Sequence, residues 1–220
     1  MIKLYSGPLS MFGAKAEIAL REKGVDFELT LVAFSQEQGY SPRHPEVLRV
    51  NPKRQVPVLI DGEVEIYDST QIFEYCEDRW PEPPLWPATV PLRARARQLE
   101  HASDEVFFPH VIKLMGMRAN PDPVDHPDWV KAREGIEAYY ARADYLLVNR
   151  EYLAGMYSYA DIAFYMAQFF AARHTVPMKA SHTQLLAWRQ RMASRQAVRL
   201  VIDRMAEYLR GIDYPVPPYD

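Results

Sequence analysis

The sequence predicts a small α/β domain followed by an all-helical domain. Residues 1–80 alternate strand patterns with amphipathic helix patterns, whereas residues 89–220 show helical periodicity interrupted by loops. Between them, residues 81–88 contain the stretch PEPPLWP. Because proline cannot continue a helix or a central strand, we expect this stretch to be the linker between the two domains.

The first domain is predicted to begin with a strand, a helix and a second strand. Ile2 and Leu4 alternate with polar neighbours, which is typical of a short strand. Ser10 is a preferred helix N-cap, and Gly24 stands where the helix that follows should end. Strict alternation returns in VDFELTLV, residues 25–32. A strand–helix–strand connection normally joins parallel strands.

The rest of this domain predicts a short helix, a hairpin and a further helix. The short helix is expected at Pro45–Val50. The stretch VPVLIDGEVEIY indicates a hairpin with an Asp-Gly turn at 61–62. Another helix should open at the Asp-Ser pair 68–69 and end before Pro81. The resulting sheet should be mixed, with parallel and antiparallel strands.

The second domain is predicted to contain only helices. The expected segments are about 90–118, 128–149, 158–173, 182–194 and 197–210. Ser158 and Asp161 have the spacing of a capping box, although the second place in such a box is usually Glu or Gln.

Composition restricts the function classes. The 220-residue chain has a formal net charge of −3, which argues against a surface that binds nucleic acid. Its single cysteine, Cys76, cannot form an internal disulfide, which fits a reducing compartment. The sequence contains no apolar stretch long enough for a signal peptide or a membrane span. We therefore expect a cytoplasmic protein with no membrane partner.

Three local patterns point to a binding site in the first domain. The helix start at Ser10 offers unpaired N–H groups and the positive end of a helix dipole, and both favour an anion. Asp68-Ser69 is a second helix start, directly after a strand, and Pro57 stands where a strand should begin. Taken singly, these patterns indicate ordinary caps and a trans proline. Their combination in one domain with the order β-α-β-(α)-β-β-α is more specific.

The residues that carry these patterns resemble the cytosolic glutathione transferase family over essentially the full length of the chain. The matching elements are Ser10, Phe12 and Lys15 leading into ALREKG, then NPKRQVPVL with Arg54 where glycine is common, Asp68-Ser69, and GMYSYADIAFY. The serine favours a serine-type branch, theta-like, tau-like or β-etherase-like. The maleylacetoacetate isomerase branch usually has a Ser-Ser-Cys-Ser entry, which GPLS at 7–10 does not match.

The resemblance implies a thioredoxin-like first domain that binds glutathione as co-substrate, with no metal, and a helical second domain that helps to bind a small apolar electrophile. It also implies a homodimer. Ser10 would donate a hydrogen bond to the glutathione thiolate, with Tyr5 as the alternative because some branches use an N-terminal tyrosine. The implied glutathione-binding residues are Gln55, Val56, Pro57 (in the cis form), Asp68 and Ser69, with Asp104 reaching across the dimer and His44, Lys53 or Arg54 near the glycyl carboxylate.

The electrophile pocket is expected between the domains. Its implied lining is Phe12, Phe108, Ile112, Met115 and Tyr165, although aromatic and methionine residues at helical spacing are more often core. His101, Asp104 and His110 do not form a dense ligand cluster, so no metal is expected. Cys76 lies on an apolar stripe and is expected to be an unreactive core thiol.

Two functions of different classes are compatible with the sequence. One is a glutathione-dependent enzyme, and the other is a non-catalytic binding or regulatory module such as the stringent starvation proteins, which resemble the same family. The joint presence of Ser10, Pro57 and Asp68-Ser69 favours the enzyme, because a scaffold need not keep a complete thiol site.

Overall fold

The computed structural model describes residues 1–35, 37–117 and 125–219, which form two compact units. The first unit contains Met1–Leu85 together with Gln196–Tyr214, and the second contains Trp86–Arg195 together with the C-terminal segment from Pro215. The chain thus leaves the first unit within the stretch where we expected a linker. It returns to that unit for its last helix.

The first unit is built on a four-stranded mixed sheet. Its strands are β1 (Ile2–Ser6), β2 (Phe27–Leu31), β3 (Val58–Asp61) and β4 (Val64–Tyr67), and its first three helices are α1 (Met11–Glu22), α2 (Pro45–Val50) and α3 (Ser69–Arg79). The strand order is β2-β1-β3-β4. β1 pairs with β2 in parallel, and β3 pairs with β1 and β4 antiparallel. The predicted mixed sheet is therefore confirmed.

The alternation of side chains along β1 places a core on each face of this sheet. Leu4 packs in a cluster with residues of α1 and α3, among them Leu20 and Cys76. Tyr5, its neighbour, packs in the opposite cluster with Val47 of α2. Since successive side chains of a strand point to opposite faces, α1 and α3 cover one face and α2 covers the other.

An ion pair with a buried carboxylate joins the last helix, α9 (Gln196–Gly211), to α1 in the first unit. The Glu17 carboxylate is fully buried. It accepts hydrogen bonds from Arg21 one turn later and from two guanidinium nitrogens of Arg204 on α9. A buried carboxylate needs such partners, because an unpaired charge in this position would be strongly destabilising.

The second unit consists of helices in the part of the chain that the structure describes. They are α4 (Val90–Ala102), α5 (Phe108–Gly116), α6 (Pro127–Leu146), α7 (Tyr159–Arg173) and α8 (Thr183–Ala193). Side chains on all sides of α7 are buried, so this helix is the centre of the unit. The predicted all-helical region is confirmed, except that Arg118 at the end of the first predicted segment lies outside the described residues.

A π-helical turn, Ser103–Phe107, separates α4 from α5. The Phe108 N–H bonds to the Ser103 carbonyl, five residues back. The next residue is Pro109, whose ring would clash with the carbonyl four residues earlier in a regular α-helix. The wider turn accommodates this proline. The segment that the sequence predicted as one helix is therefore divided here into α4 and α5.

The capping box at the start of α7 is present with Asp in place of Glu. The Asp161 carboxylate accepts hydrogen bonds from Ser158 N and Ser158 Oγ, both at 3.0 Å. It also accepts from Leu153 N and from Trp188 Nε1, both at 2.9 Å. One fully buried carboxylate thus holds the helix start, the preceding loop and α8 together. Burial raises the pKa of Asp161 to about 6, although these donors favour its ionised form.

Replacing Asp161 by Asn should lower the free energy of unfolding by about 2–4 kcal/mol, because buried donors lose their acceptor. Since the folded pKa lies above the unfolded one, the folded state still holds this proton after the unfolded state has lost it. The stabilising contribution of this carboxyl should therefore fall as pH rises from 3.8 to about 6, and stay level above that. Urea unfolding of the wild type and Asp161→Asn across this range measures both effects.

The matched control is Asp203→Asn, since Asp203 lies in an exposed pair 3.7 Å from Arg199. Its effect should stay within about 0.5 kcal/mol. Equal losses in the two variants would contradict the role assigned to Asp161.

Candidate functional site

The strand register brings the predicted site segments to one end of the sheet. Tyr5 near the end of β1 pairs with Val58 at the start of β3, and Val58 pairs with Tyr67 at the end of β4. Ser6 pairs in parallel with Leu31 at the end of β2. The β1–α1 turn, the segment before β3, the start of α3 and the segment after β2 therefore all adjoin the same end of the sheet.

Ser10 is the N-cap of α1. Its backbone is extended, and its Oγ accepts a hydrogen bond from Gly13 N at 3.0 Å. The residue is only 7% exposed. A Cβ at Gly13 would lie 2.0 Å from Ser6 Oγ and 3.1 Å from Ser10 Oγ, so the close approach of these hydroxyls requires glycine. Because Ser10 Oγ is the acceptor in the cap, its own O–H can donate to a second group.

Asp68 and Ser69 open α3. Asp68 has φ 75° and ψ 128°, which is unusual for a residue other than glycine. Its carboxylate is exposed and accepts hydrogen bonds from Thr70 N at 3.0 Å and Gln71 N at 3.4 Å. Ser69 is buried. Strained backbone of this kind is concentrated at functional sites, so it is an independent sign of a binding role.

Asn51 organises the loop that leads to β3. Its side-chain amide donates to Gln55 O at 2.6 Å, and its Oδ1 accepts from Lys53 N at 2.9 Å. Arg54 adopts φ 58°, a left-handed conformation that glycine adopts more easily. No role for Asn51 was expected from the sequence. The available signal was an asparagine directly before a proline, a pair that favours the start of a turn.

The Val56-Pro57 peptide bond is cis, as the resemblance implied and as residue statistics alone did not favour. Pro57 is buried, and Val56 precedes the first paired residue of β3. Gln55, Lys53 and Arg54 are exposed just before it.

Tyr5 lies in a different setting from Ser10. It is buried in the cluster on the α2 face of the sheet, and its ring centroid is 4.8 Å from that of His44. His44 itself caps α2, with Nδ1 accepting from Glu46 N at 3.2 Å. Core packing thus accounts for Tyr5. Of the two hydroxyls that the sequence offered for the site, Ser10 is therefore the better candidate.

The residues expected to line the electrophile pocket lie in varied surroundings. Phe12 on α1 is partly buried, with Lys15 Nζ 5.7 Å from its ring centroid. In the second unit, Ile112 and Met115 are 53% and 38% exposed on α5, and their helix neighbour Phe108 is buried. Tyr165 is fully buried and donates a hydrogen bond from its hydroxyl to Tyr219 O at 2.6 Å. Their common pocket stays a prediction.

The second unit also contains a cavity of about 240 Å³. Among the described residues, its lining comes from α4, the π-helical turn, α6 and Leu153, and includes Arg95, Tyr139 and Arg142. The residues expected for the electrophile pocket lie on other helices.

Asp104 lies in the π-helical turn, where its reach to another subunit stays a prediction. His101 is exposed, whereas His110 packs so closely on Gly135 that a Cβ there would lie 2.4 Å from its ring. Burial lowers the pKa of His110. Within residues 1–35, 37–117 and 125–219, no group of three or more His, Cys, Asp or Glu side chains is arranged to hold a metal ion. A search of the same residues finds no helix with the length and hydropathy needed to cross a membrane.

Comparison with known proteins gives matches in both units. The model of the glutathione S-transferase N-terminal domain matches residues 4–84, and the model of the C-terminal domain matches residues 100–196. A zeta-class glutathione S-transferase from Euphorbia esula is 31% identical over 77% of this chain and 72% of its own length. A stringent starvation protein A homologue from Coxiella burnetii is 32% identical, but this chain matches only 52% of its length.

A crystal structure of a glutathione S-transferase from Rhodospirillum rubrum superposes with a TM-score of 0.79, at 27% identity over 92% of both chains. This agreement confirms the expected fold, a thioredoxin-like N-terminal domain followed by a helical domain. The relatives include a zeta-class glutathione S-transferase and a stringent starvation protein A homologue, so the serine-type branch expected from the sequence stays a prediction.

Cys76 should be unreactive in the folded protein. It lies on α3, fully buried in a cluster with residues of α1, and burial raises the pKa of its thiol to about 12. At pH 8, about one thiol in ten thousand is then ionised, and only the thiolate reacts. We expect a disulfide reagent at pH 8 to modify native protein at least about a hundredfold more slowly than protein unfolded in urea. Fast modification of the native protein would contradict this burial.

Proposed function

The chain belongs to the glutathione S-transferase family, and from this premise we propose that it binds glutathione in the first unit and activates its thiol through Ser10 for attack on an apolar electrophile. The observation that carries the proposal is the meeting of two capped helix starts and the Val56-Pro57 segment at one end of the sheet.

Glutathione is an extended tripeptide with a free amino group and two carboxylates, and the site offers matching groups in order. The γ-glutamyl carboxylate would bind at the start of α3, near the Ser69 hydroxyl and the positive end of the helix dipole. The exposed Asp68 carboxylate would pair with the ammonium of the same residue. The backbone of Val56 would bind the cysteinyl part. Gln55 and its exposed basic neighbours would meet the glycyl end.

Ser10 would act as a hydrogen-bond donor to the thiolate. A free thiol has a pKa of about 8.5, and lowering it by two units requires about 2.7 kcal/mol of preferential stabilisation of the thiolate. A hydrogen bond to a charged acceptor supplies about 1.5–3 kcal/mol, and the helix N-terminus adds about 0.3–1 kcal/mol. These two contributions reach the required size without a general base.

In the reaction, the thiol proton leaves to solvent and the thiolate sulfur forms a new bond to the electrophilic carbon. Where that carbon carries a leaving group, its bond breaks and the group departs with the electron pair. The enzyme forms no covalent bond. A homodimer, with Asp104 of one copy near the γ-glutamyl group bound by the other, is part of the same proposal.

Replacing Ser10 by Ala should raise the pKa of bound glutathione by about one to two units and weaken the thiolate absorbance at neutral pH. Ser10→Thr should retain most of both. Ser10→Asp separates capping from chemistry, because aspartate caps a helix well but has no proton to donate. It should keep the folded stability and lose the low thiol pKa.

The measurement is the ultraviolet absorbance of the thiolate against pH, with thermal unfolding recorded for each variant. Tyr5→Phe is the control, and it should leave the thiol pKa unchanged. A large effect of Tyr5→Phe with none for Ser10→Ala would transfer the role to Tyr5.

The second candidate is a non-catalytic module, which the match to a stringent starvation protein homologue favours. Calorimetric titration with millimolar glutathione separates the two. Absence of binding would contradict the proposed enzyme and favour the non-catalytic module.

A further inference from the structure

We propose that Ser6 is a positioning residue for the thiol chemistry: its buried hydroxyl donates a hydrogen bond to Ser10 Oγ while Ser10 donates to the glutathione thiolate. The inference rests on the proposed function and deepens it, because it names a second group that acts on the thiol through Ser10. Ser6 does not belong to the set of site residues that the sequence indicated.

The pleat of β1 directs the Ser6 side chain towards α1. Leu4, two residues earlier, packs in the cluster that contains Leu20 of α1, whereas Tyr5 packs on the opposite face of the sheet. Since side chains two positions apart on a strand share a face, Ser6 also faces α1. Its backbone is fixed at the end of the strand, because Ser6 O accepts a hydrogen bond from Val32 N at 2.8 Å.

The hydroxyls of Ser6 and Ser10 meet at Gly13, in the first turn of α1. A Cβ on this glycine would lie 2.0 Å from Ser6 Oγ and 3.1 Å from Ser10 Oγ. Both oxygens therefore border the one small volume that a side chain at residue 13 would fill. Because glycine leaves this volume open, a turn of the Ser6 side chain about its Cα–Cβ bond can direct its O–H to Ser10 Oγ.

The Ser6 hydroxyl is buried without a hydrogen-bond partner. The residue is 1% exposed, and its Oγ makes no hydrogen bond within residues 1–35, 37–117 and 125–219. Most buried polar groups of native proteins are hydrogen-bonded, because a group that loses water without replacing it destabilises the fold. We therefore interpret this donor, next to the proposed catalytic hydroxyl, as a group whose bond forms when the ligand binds.

Ser10 Oγ has an acceptor position for this donor. A serine hydroxyl carries one proton and two lone pairs. Gly13 N donates to one lone pair at 3.0 Å, and the proton is directed to the proposed thiolate, so the second lone pair is left for Ser6. Ser6 is 1% exposed and Ser10 is 7% exposed, which makes Ser10 the more accessible of the two to a bound sulfur.

The result is a chain of two hydrogen bonds, from Ser6 to Ser10 and from Ser10 to the sulfur. Groups in such a chain polarise one another, so a hydroxyl that accepts a hydrogen bond becomes a stronger donor. Neither serine loses its proton, and the thiol proton leaves to solvent as in the proposed reaction. Ser6 therefore stabilises the thiolate more than the thiol and contributes to a lower thiol pKa.

The test is a double-mutant cycle in which the ultraviolet absorbance of bound glutathione is measured against pH. Ser6→Ala should raise the thiol pKa by about 0.3–0.6 unit, a fraction of the effect expected for Ser10→Ala. In the Ser10→Ala background, the same substitution should change this pKa by less than about 0.1 unit, because no donor is left for Ser6 to strengthen. Ser6→Thr, which keeps the hydroxyl, should keep the wild-type value.

Thermal unfolding separates this role from packing. Removal of an unpartnered buried hydroxyl should leave the thermal midpoint of Ser6→Ala unchanged or raise it. The matched control is Ser103→Ala in the second unit, where a fully buried hydroxyl donates to Leu99 O at 3.0 Å. This control should lower the thermal midpoint and leave the thiol pKa unchanged.

A further variant tests the contact at Gly13. Gly13→Ala places a methyl group between the two hydroxyls and should raise the thiol pKa in the same direction as Ser6→Ala. Its effect on the thermal midpoint should be smaller in the Ser6→Ala background, because the atom 2.0 Å from the new Cβ is gone and the next contacts lie at 3.1 Å. Equal effects in both backgrounds would contradict the contact on which the inference depends.

Each alternative result has a definite meaning. If Ser6→Ala leaves the thiol pKa unchanged while Ser10→Ala raises it, the inference is overturned and the proposed function stands. An equal shift by Ser6→Ala in the wild-type and Ser10→Ala backgrounds would show that Ser6 acts independently, and would overturn the chain of hydrogen bonds. Failure of the wild type to bind glutathione at millimolar concentration, or a bound thiol with the pKa of the free one, would overturn both proposals.

Discussion

The antiparallel pairing of β3 with β1 is the constraint on which the candidate site depends. Because Val58 faces Tyr5 on one side and Tyr67 on the other, the segments before β3, after β1 and after β4 start from neighbouring points. A slip of one residue would turn every side chain of β3 to the opposite face and break the cores on both sides of the sheet. The hydrophobic packing that stabilises the sheet therefore also fixes where the two helix starts meet.

In the proposed function, the groups that cap the two helices also bind glutathione. Ser10 Oγ accepts a bond from Gly13 N and thereby caps α1, and its O–H is the donor that we propose for the glutathione thiolate. Asp68 caps α3 with its carboxylate and holds an unusual backbone conformation at the point where we propose the γ-glutamyl group binds. If glutathione binds as proposed, substitutions at these positions affect stability and binding together. Variants that keep the cap but remove the donor are needed to tell the two apart.

The features that sequence analysis predicted well are those with local causes. The strands follow from alternation, the start of α1 from Ser10, and the hairpin from its Asp-Gly turn, and each requires only nearby residues. The π-helical turn before Pro109 was missed because the sequence shows a disfavoured proline but not how the helix adapts to it. Asn51 was missed because its role consists of bonds to a loop whose shape was not yet known.

By itself, the sequence determined the order of the elements, the mixed sheet, the helix caps and the family, since propensity, periodicity and motifs are properties of short stretches. Tertiary structure alone decided that α9 packs on α1. The bond between Glu17 and Arg204 joins residues 187 positions apart, a separation at which no local pattern links them. It also decided that the hydroxyls of Ser6 and Ser10 meet at Gly13, because contact between the end of a strand and the start of a helix depends on the folded path of the backbone rather than on spacing along the chain.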